Sequence, residues 1–171
     1  PWQAFSFTKK MRMTKQEVKD EHKESEGSPE LKSKIRQMQH QMARRRMMED
    51  VPTADVIVVN PTHFAVALKY DEEKMGAPRV VAKGVDVLAQ QIRDVAGAAK
   101  VPVVEAPPLA RALYATTEVG REIPSALYVA VAQILAYVFR LKQAIAVGDL
   151  PPDLPEQDID PELLGPYRMD N

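Results

Sequence analysis

The 171-residue sequence contains no cysteine, which excludes disulfides, thiolate nucleophiles and metal sites built on cysteine. This absence agrees with a reducing compartment, and a cytosolic setting is the default expectation. Its 23 basic and 24 acidic side chains nearly cancel, so the chain as a whole lacks the positive excess on which nucleic-acid binding relies. A hydrophobic content of 45% is enough for one core, so we expect one compact domain with flexible extensions.

The sequence also lacks the short motifs of common hydrolases and nucleotide-binding enzymes. It contains no Gly-x-Ser-x-Gly elbow, no His-Glu-x-x-His pair and no phosphate loop ending in Gly-Lys-Ser/Thr. His22 and His40 lie in polar helical segments and are expected at the surface, while His63 alone supplies too few ligands for a metal site. We therefore expect neither a metal nor a cofactor.

No stretch of the sequence predicts a transmembrane helix. The longest apolar stretch, 126–139, is interrupted by Gln133 and is shorter than the roughly 20 residues that a bilayer requires, so it predicts a buried core helix. The opening segment, 1–12, places three aromatic residues before a basic cluster, as is typical just cytoplasmic of a transmembrane helix. An arbitrary exposed tail explains it equally well. The start at Pro1 favours a fragment of a longer protein.

The remaining pattern predicts an α/β fold with a small mixed four-stranded sheet covered by helices. A long helix is predicted from about Ser28 to Glu49, because Ser28 and Pro29 suit a helix start and apolar residues recur after them at heptad-like spacing. Apolar runs predict strands, and amphipathic stretches predict helices between and after them. The strands are expected at 56–59, 64–70, 79–82 and 101–105, with helices at 85–99, 107–114 and 125–148.

Three segments follow from this pattern. Residues 1–50 are expected to form a linker with helices, and 51–148 the α/β domain. Residues 149–171 are rich in proline and acidic side chains and are expected to form a disordered tail, although composition alone names no task for it.

Asn60 and Pro61 directly follow the first predicted strand and have distinctive chemistry. An asparagine normally deamidates when the next backbone nitrogen attacks its side-chain amide, but Pro61 has no N–H, which closes that route. The remaining ring closure is attack by the Asn60 side-chain nitrogen on its own main-chain carbonyl. This reaction forms a C-terminal succinimide and leaves Pro61 as a new N-terminus, so the backbone breaks without an external nucleophile.

Such a cleavage requires a turn that brings the nitrogen to the carbonyl, a group that moves a proton and donors for the oxyanion. Completion in minutes to hours corresponds to a barrier of about 21 to 24 kcal/mol. Backbone strain of ~1–3 kcal/mol can supply only part of the reduction in barrier that such a rate requires. His63 could orient Asn60, move a proton or simply pack, and Thr62 could hold the turn through its hydroxyl. Taken alone, the dipeptide is better explained as an inert turn, because asparagine and proline both suit turns.

The wider sequence changes this balance, because Asn60-Pro61-Thr62-His63 between two apolar strands resembles the cytoplasmic domain of the FlhB/YscU family, the export-switch proteins of type III secretion. The Glu-Gly-x-Pro-Glu break at 26–30 favours the flagellar branch, FlhB, over the virulence injectisome branch. The resemblance extends over Lys15-Gln16-Glu17-Val18-Lys19-Asp20-Glu21, Glu26-Gly27-Ser28-Pro29-Glu30, Val81-Ala82-Lys83-Gly84 and the helix after Glu122-Ile123-Pro124.

The resemblance implies a single self-cleavage and no turnover catalysis. Asn60 would be the reacting residue, Pro61 the released terminus, and Thr62 and His63 the assisting pair. The two fragments would stay associated because the scissile bond lies between strands of one sheet.

The resemblance also implies a cellular setting. The domain would lie at the cytoplasmic face of the bacterial inner membrane, attached through an N-terminal transmembrane domain that this chain lacks, with the long helix linking the two. Its partners would be export-gate membrane proteins, export substrates and a hook-length ruler protein. Cleavage would permit the change from rod and hook export to filament export.

Two other classes of function stay open at this point. The first is a protein-binding domain in which Asn60-Pro61 is an inert turn, and it would give an unbroken band on a denaturing gel. The second is a nucleic-acid binder that uses Arg44-Arg45-Arg46, but no aromatic residues for base stacking flank that run. The three arginines are better explained as a solvated helix face near lipid or a partner.

Overall fold

A computed structural model describes residues 15, 17–20, 27–61 and 63–168. The aromatic and basic opening segment, His22 and Thr62 lie outside the described residues, so what was predicted for them stays a prediction. The chain divides into two compact units, Pro1–Arg44 and Arg45–Asn171. The sheet and all the strands belong to the second unit.

Helix α1 (Pro29–Asp50) begins at the predicted capping residue. The Ser28 side-chain oxygen accepts a hydrogen bond from the Leu31 N–H at 3.1 Å, and Pro29 occupies the first helical position, where no N–H is needed. Of the whole helix only Met47 is buried, and it packs in the domain core with Val51 of the 3-10 turn Val51–Thr53. The apolar stripe is exposed along its length: Leu31, Ile35, Met38 and Met42.

The predicted mixed four-stranded sheet is confirmed. Its order is β3-β2-β1-β4, with β1–β2 and β2–β3 antiparallel and β1–β4 parallel. The two inner strands are nearly continuous apolar runs, as expected where both faces of a strand are covered. The strands are β1 (Val56–Asn60), β2 (Phe64–Lys69), β3 (Arg79–Val85) and β4 (Val103–Glu105).

Helices cover both faces of this sheet. Because side chains alternate across a strand, Ile57 and Val59 face one core cluster with α2 (Asp86–Ala98), while Val56 and Val58 face the other. The second cluster is covered by α3 (Pro107–Thr116) and α4 (Tyr128–Val147). Since β3 and β4 run in the same direction, α2 is the crossover of a β-α-β unit.

Gly84 lies inside a strand, although the third strand was expected to end at position 82. Strand β3 continues through it to Val85, and Gly84 pairs with Ala65 of β2. A Cβ atom at Gly84 would lie 2.6 Å from Leu88 Cγ, in the first turns of α2. The glycine therefore permits close approach of α2 to the sheet, and its role is packing rather than termination.

Gly84→Ala should destabilise the domain by about 1–3 kcal/mol, because Leu88 and the start of α2 must move to admit the methyl group. Chemical denaturation measures the change. The matched control is Gly97→Ala in α2, where an added Cβ meets no atom within 4 Å and alanine is the better helix former. Equal stabilities of the two variants would contradict the close-approach role of Gly84.

One helix contradicts the expectation that no stretch is long enough to cross a membrane. Together with the 3-10 turn before it, α4 forms a helical segment over Ser125–Val147 with mean hydropathy 1.4, and length and composition alone would allow it to span a bilayer. It is longer than the apolar stretch seen in the sequence, because the helix continues past Arg140 and Lys142. Its inner face packs in the core through Ala130, Val131, Ile134 and Val138, so the predicted core helix is confirmed.

The tail was expected to be disordered, and this is wrong for 159–167. Pro161–Tyr167 forms a 3-10 segment capped by Asp160, whose Oδ1 accepts from the Glu162 N–H at 3.0 Å. Leu164 is buried, and Ile159, Leu163 and Tyr167 pack against the same core cluster. The proline-rich, acidic composition of the tail gave no indication that these four apolar residues pack against the core and order a short segment. Residues 149–158 form neither helix nor strand.

Candidate cleavage site

The Asn60-Pro61 bond lies in a tight turn between the two central strands. Asn60 is the last residue of β1, Phe64 is the first of β2, and the two are register partners. The His63 N–H donates to the Asn60 carbonyl oxygen at 3.0 Å, which closes a four-residue turn with asparagine and proline in its first two positions, as predicted. Thr62 completes the turn but lies outside the described residues.

This hydrogen bond has a chemical consequence that sequence reasoning missed. The Asn60 carbonyl is the group that the Asn60 side chain would attack, and its oxygen would carry the negative charge of the tetrahedral intermediate. An oxyanion site requires a donor about 2.7–3.1 Å from the position that this oxygen will occupy in the intermediate. The His63 backbone N–H bonds to the oxygen in the resting turn at 3.0 Å, which makes it the candidate donor whatever side chain stands at position 63.

The strand that leads into the turn is rigid. Val56, Ile57 and Val58 are fully buried, and β1 is paired on both edges. At its end the Val59 carbonyl accepts from the Ala106 N–H at 3.0 Å, which ties the residue before Asn60 to the segment between β4 and α3. Asn60 and Pro61 themselves are half-buried. The Asn60 carbonyl is thus held on a fixed base, as attack over a short distance would demand.

The side chain of His63 is exposed and lies beside Asp86. His63 Nδ1 is 3.7 Å from Asp86 Oδ1, with the two side chains 67% and 74% exposed. The Asp86 N–H also donates to the His63 carbonyl oxygen at 3.0 Å. Asp86 begins α2 with φ of 49°, a left-handed conformation that aspartate tolerates better than most residues. Asp86 therefore holds the backbone of His63 and faces its ring.

Asp86 was not named from the sequence, because 22 residues of chain separate it from the nearest turn residue it contacts and no local motif links them. The signal lies in strand register: Phe64 pairs with Val85, which places positions 63 and 86 side by side. That register becomes visible only when β2 and β3 are known to be antiparallel neighbours.

Asp86→Asn should slow cleavage by no more than about fivefold, because an exposed ion pair contributes roughly 0.2–1 kcal/mol. The backbone bond to the His63 carbonyl is kept. The half-time of fragment appearance is compared with that of Asp94→Asn. This control removes an exposed charge from the same helix at a position further from the turn. A hundredfold loss in Asp86→Asn would show that the carboxylate does more than orient an exposed ring.

An aromatic cluster holds the other end of the turn. The ring of Phe64 lies 5.1 Å from Tyr114 of α3 and 5.0 Å from Tyr167 of the tail, and the two tyrosines are 5.4 Å apart. Lys83 Nζ lies 4.6 Å from the centre of the Tyr114 ring and donates to the Tyr114 carbonyl oxygen. Burial raises the pKa of Tyr114 above its usual 10.0, and nearby Tyr167 and Glu118 raise it further.

His40 and the Arg44-Arg45-Arg46 run are exposed on α1, as expected of a solvated helix face. Within the described part of the chain no group of three or more histidine or acidic residues is placed to hold a metal ion.

Comparison with known proteins places the chain in a family. The sequence profile of the FlhB HrpN YscU SpaS family matches residues 1–138. The chain belongs to this family. The resemblance seen in the tetrapeptide and its flanking segments is therefore confirmed.

The flagellar members of the family are similar over most of this chain. It is 56% identical over 163 residues to the flagellar biosynthetic protein FlhB of Salmonella typhimurium, covering 95% of this chain and 43% of that protein. It is 55% identical over 144 residues to FlhB of Bacillus subtilis, covering 84% of this chain and 40% of that protein. The chain thus spans less than half the length of these relatives.

Solved structures of the family share the fold. The cytoplasmic domain of FlhB from Shewanella putrefaciens is 51% identical with a TM-score of 0.66, and the match covers 70% of this chain and 94% of that one. An EscU C-terminal domain with an Asn→Ala mutation is 34% identical with a TM-score of 0.52, covering 54% of this chain and 92% of that one. Other crystallised EscU variants carry Asn→Asp at the same position or Pro→Ala at the next one.

Proposed function

We propose that this chain is the cytoplasmic switch domain of a flagellar type III export protein, and that it cleaves itself once between Asn60 and Pro61. The observation that carries the proposal is the hydrogen bond from the His63 N–H to the Asn60 carbonyl oxygen, at 3.0 Å in a turn between two central strands. It places an oxyanion donor on the one carbonyl that asparagine cyclisation must attack. Membership of the FlhB family supports the same function.

The reaction is an intramolecular transfer of an acyl group. The Asn60 side-chain nitrogen bonds to the Asn60 carbonyl carbon and loses one proton, and the bond from that carbon to the Pro61 nitrogen breaks. The Pro61 nitrogen gains a proton and leaves as a secondary amine, so protons balance. The imidazole of His63 carries the proton between the two nitrogens, while Thr62 holds the turn. No cofactor takes part, and the turn is consumed in one turnover.

The two fragments remain one module after cleavage. Strand β1 belongs to fragment 1–60, and both of its neighbours, β2 and β4, belong to fragment 61–171. Five registered pairs join β1 to β2, from Val56–Leu68 to Asn60–Phe64. Because the side chains of β1 are buried on both faces, separating the fragments would expose the centre of the core to water.

Cleavage changes the surface at the turn more than the fold. The new Pro61 terminus is an amine with an ordinary pKa near 8, so it brings positive charge to the turn at neutral pH. At the cytoplasmic face of the inner membrane, this altered surface meets export-gate membrane proteins, export substrates and a hook-length ruler protein. The apparatus can then change from rod and hook subunits to filament subunits. The full-length protein is held there by a transmembrane domain.

The intact mass of the purified protein under denaturing conditions tests the proposal. Self-cleavage gives two masses that correspond to 1–60, ending in a succinimide or its hydrolysis products, and 61–171, beginning with a free proline. Under native conditions the two fragments should elute together. A single stable mass after prolonged incubation would leave a protein-binding domain with an inert turn.

A further inference from the structure

The ordered part of the tail, 159–167, lies against the domain beside the cleavage turn, and we call it the tail strap. Leu164 is 8% exposed, and Ile159, Leu163 and Tyr167 pack against the core cluster that α3 and α4 cover. Gly165 adopts φ of 53°, and a Cβ atom there would lie 3.4 Å from Ala115 of α3. The strap backbone therefore approaches α3 closely at a residue whose conformation favours glycine.

Tyr167 of the strap reaches the first residue after the turn. Its ring meets Phe64 edge-on at 5.0 Å and Tyr114 at 5.4 Å, which are favourable distances for aromatic pairs. Phe64 is in turn the register partner of Asn60. A side chain near the C-terminus of the chain is thus two contacts away from the scissile carbonyl.

The surface beneath the strap has the features of a peptide-binding groove. Phe64 and Tyr114 supply an aromatic floor, Ala115 leaves room for the peptide backbone, and Lys83 contacts both the ring and the carbonyl oxygen of Tyr114. The strap fills the groove with two anchors, Leu164 and Tyr167, spaced as Leu-x-x-Tyr. The strap itself forms only a short 3-10 segment. Ordering its nine residues costs conformational entropy, and this cost offsets much of the free energy gained by burying its apolar side chains. Docking of this kind is reversible.

We propose that Phe64 and α3 form a groove for Leu-x-x-Tyr segments, that the tail occupies it in cis, and that its occupancy fixes the end of the Asn60–His63 turn. The consequence for cleavage rests on the function proposed above, but the groove and its coupling to the turn do not. The strap binds more tightly when the Phe64 ring is in place. By linkage, strap binding favours that placement of Phe64 by the same factor by which the placement favours strap binding. Loss of the strap loosens the turn, and before cleavage this lowers the fraction of molecules aligned for attack.

Hydrogen exchange in the full chain tests the coupling, with Asn60→Ala as the background so that every molecule is uncut. Two amides report on the turn: His63 N–H, bonded to the Asn60 carbonyl, and Asp86 N–H, bonded to the His63 carbonyl. Tyr167→Ala should make both exchange roughly 5- to 50-fold faster, since it removes two aromatic contacts. The Val58 amide, in the centre of β1, should be unchanged. Leu154→Ala, in the tail outside the strap, is the matched control.

A peptide supplied in trans tests the groove itself. Added to the Tyr167→Ala chain, a synthetic peptide of residues 154–168 should restore slow exchange at His63 and Asp86, and the same peptide with Tyr167→Ala should not. The groove proposal is overturned if the native peptide has no effect. The coupling is overturned if Tyr167→Ala releases the Leu163 amide, which is bonded to the Asp160 carbonyl, while His63 and Asp86 exchange as before.

Cleavage is measured separately in chains that retain Asn60. If the exchange effects appear and no chain is ever cut, the groove stands and self-cleavage fails. If the chain is cut and Tyr167→Ala alters neither exchange nor cleavage half-time, self-cleavage stands and the coupling fails. A several-fold longer half-time in Tyr167→Ala, and not in Leu154→Ala, is the expected result.

Discussion

Asn60→Ala should abolish cleavage, and the denatured protein should then give one mass in place of two. The substitution removes the nitrogen that attacks the Asn60 carbonyl in the proposed cyclisation, so no slower version of the same reaction remains. The fold should persist, because Asn60 is a half-buried strand end whose backbone makes the registered pair with Phe64. Intact mass after days of incubation, with circular dichroism to confirm folding, measures both parts of the prediction.

Asn60→Asp is the matched control for shape. Aspartate keeps the size of the side chain but replaces the amide nitrogen with oxygen, so a succinimide cannot form by this route. Both variants should stay uncut and equally folded. Fragments 1–60 and 61–171 appearing in Asn60→Ala at neutral pH would contradict asparagine cyclisation and would point to hydrolysis by another group.

The magnitudes show why the turn alone is insufficient. Strain of ~1–3 kcal/mol accelerates a reaction by at most about a hundredfold. One well-placed oxyanion donor is worth ~10²–10³ in rate, and the His63 backbone N–H, bonded to the Asn60 carbonyl oxygen in the resting turn, is the candidate to supply that term. The rest of the rate acceleration must come from holding the Asn60 amide nitrogen near the carbonyl and from proton transfer. These terms differ in origin, so substitutions can separate them.

Local sequence was sufficient to predict the turn. The apolar runs on either side of Asn60-Pro61-Thr62-His63 have the length and β-branched content of strands, and the predicted limits of β1 and β2 lie within one residue of the observed ones. The polar turn can only be short when two such runs are so close in the chain. The turn was therefore located without knowledge of the fold, whereas the roles assigned to its residues come from the family resemblance.

The parts that were missed depend on contacts distant in sequence. Asp86 reaches His63 only through the register of β2 with β3, which alternation of side chains does not specify. The third strand was predicted to stop short of Gly84, and the role of this glycine was missed because it depends on Leu88 of the next helix. The tail strap is ordered by Phe64 and Tyr114, more than 40 residues before it, and composition gives no sign of such a partner.

His63→Ala should slow cleavage without abolishing it, by the ~10²–10⁴ that general acid–base assistance typically contributes. The substitution removes the imidazole but keeps the backbone N–H that bonds to the Asn60 carbonyl oxygen, so the oxyanion term survives. The ring is exposed, which leaves room for a small base from solvent to replace it. Adding free imidazole to the variant should therefore restore part of the rate, and the half-time of fragment formation measures it.

His40→Ala, an exposed histidine on α1, is the control and should cleave at the parent rate. A parent rate in His63→Ala would reduce the side chain to packing and would assign the whole effect of residue 63 to its backbone. Total loss without imidazole rescue would instead mean that the ring is required to form the turn. Partial loss with rescue, beside complete loss in Asn60→Ala, separates the reacting group from the group that moves its proton.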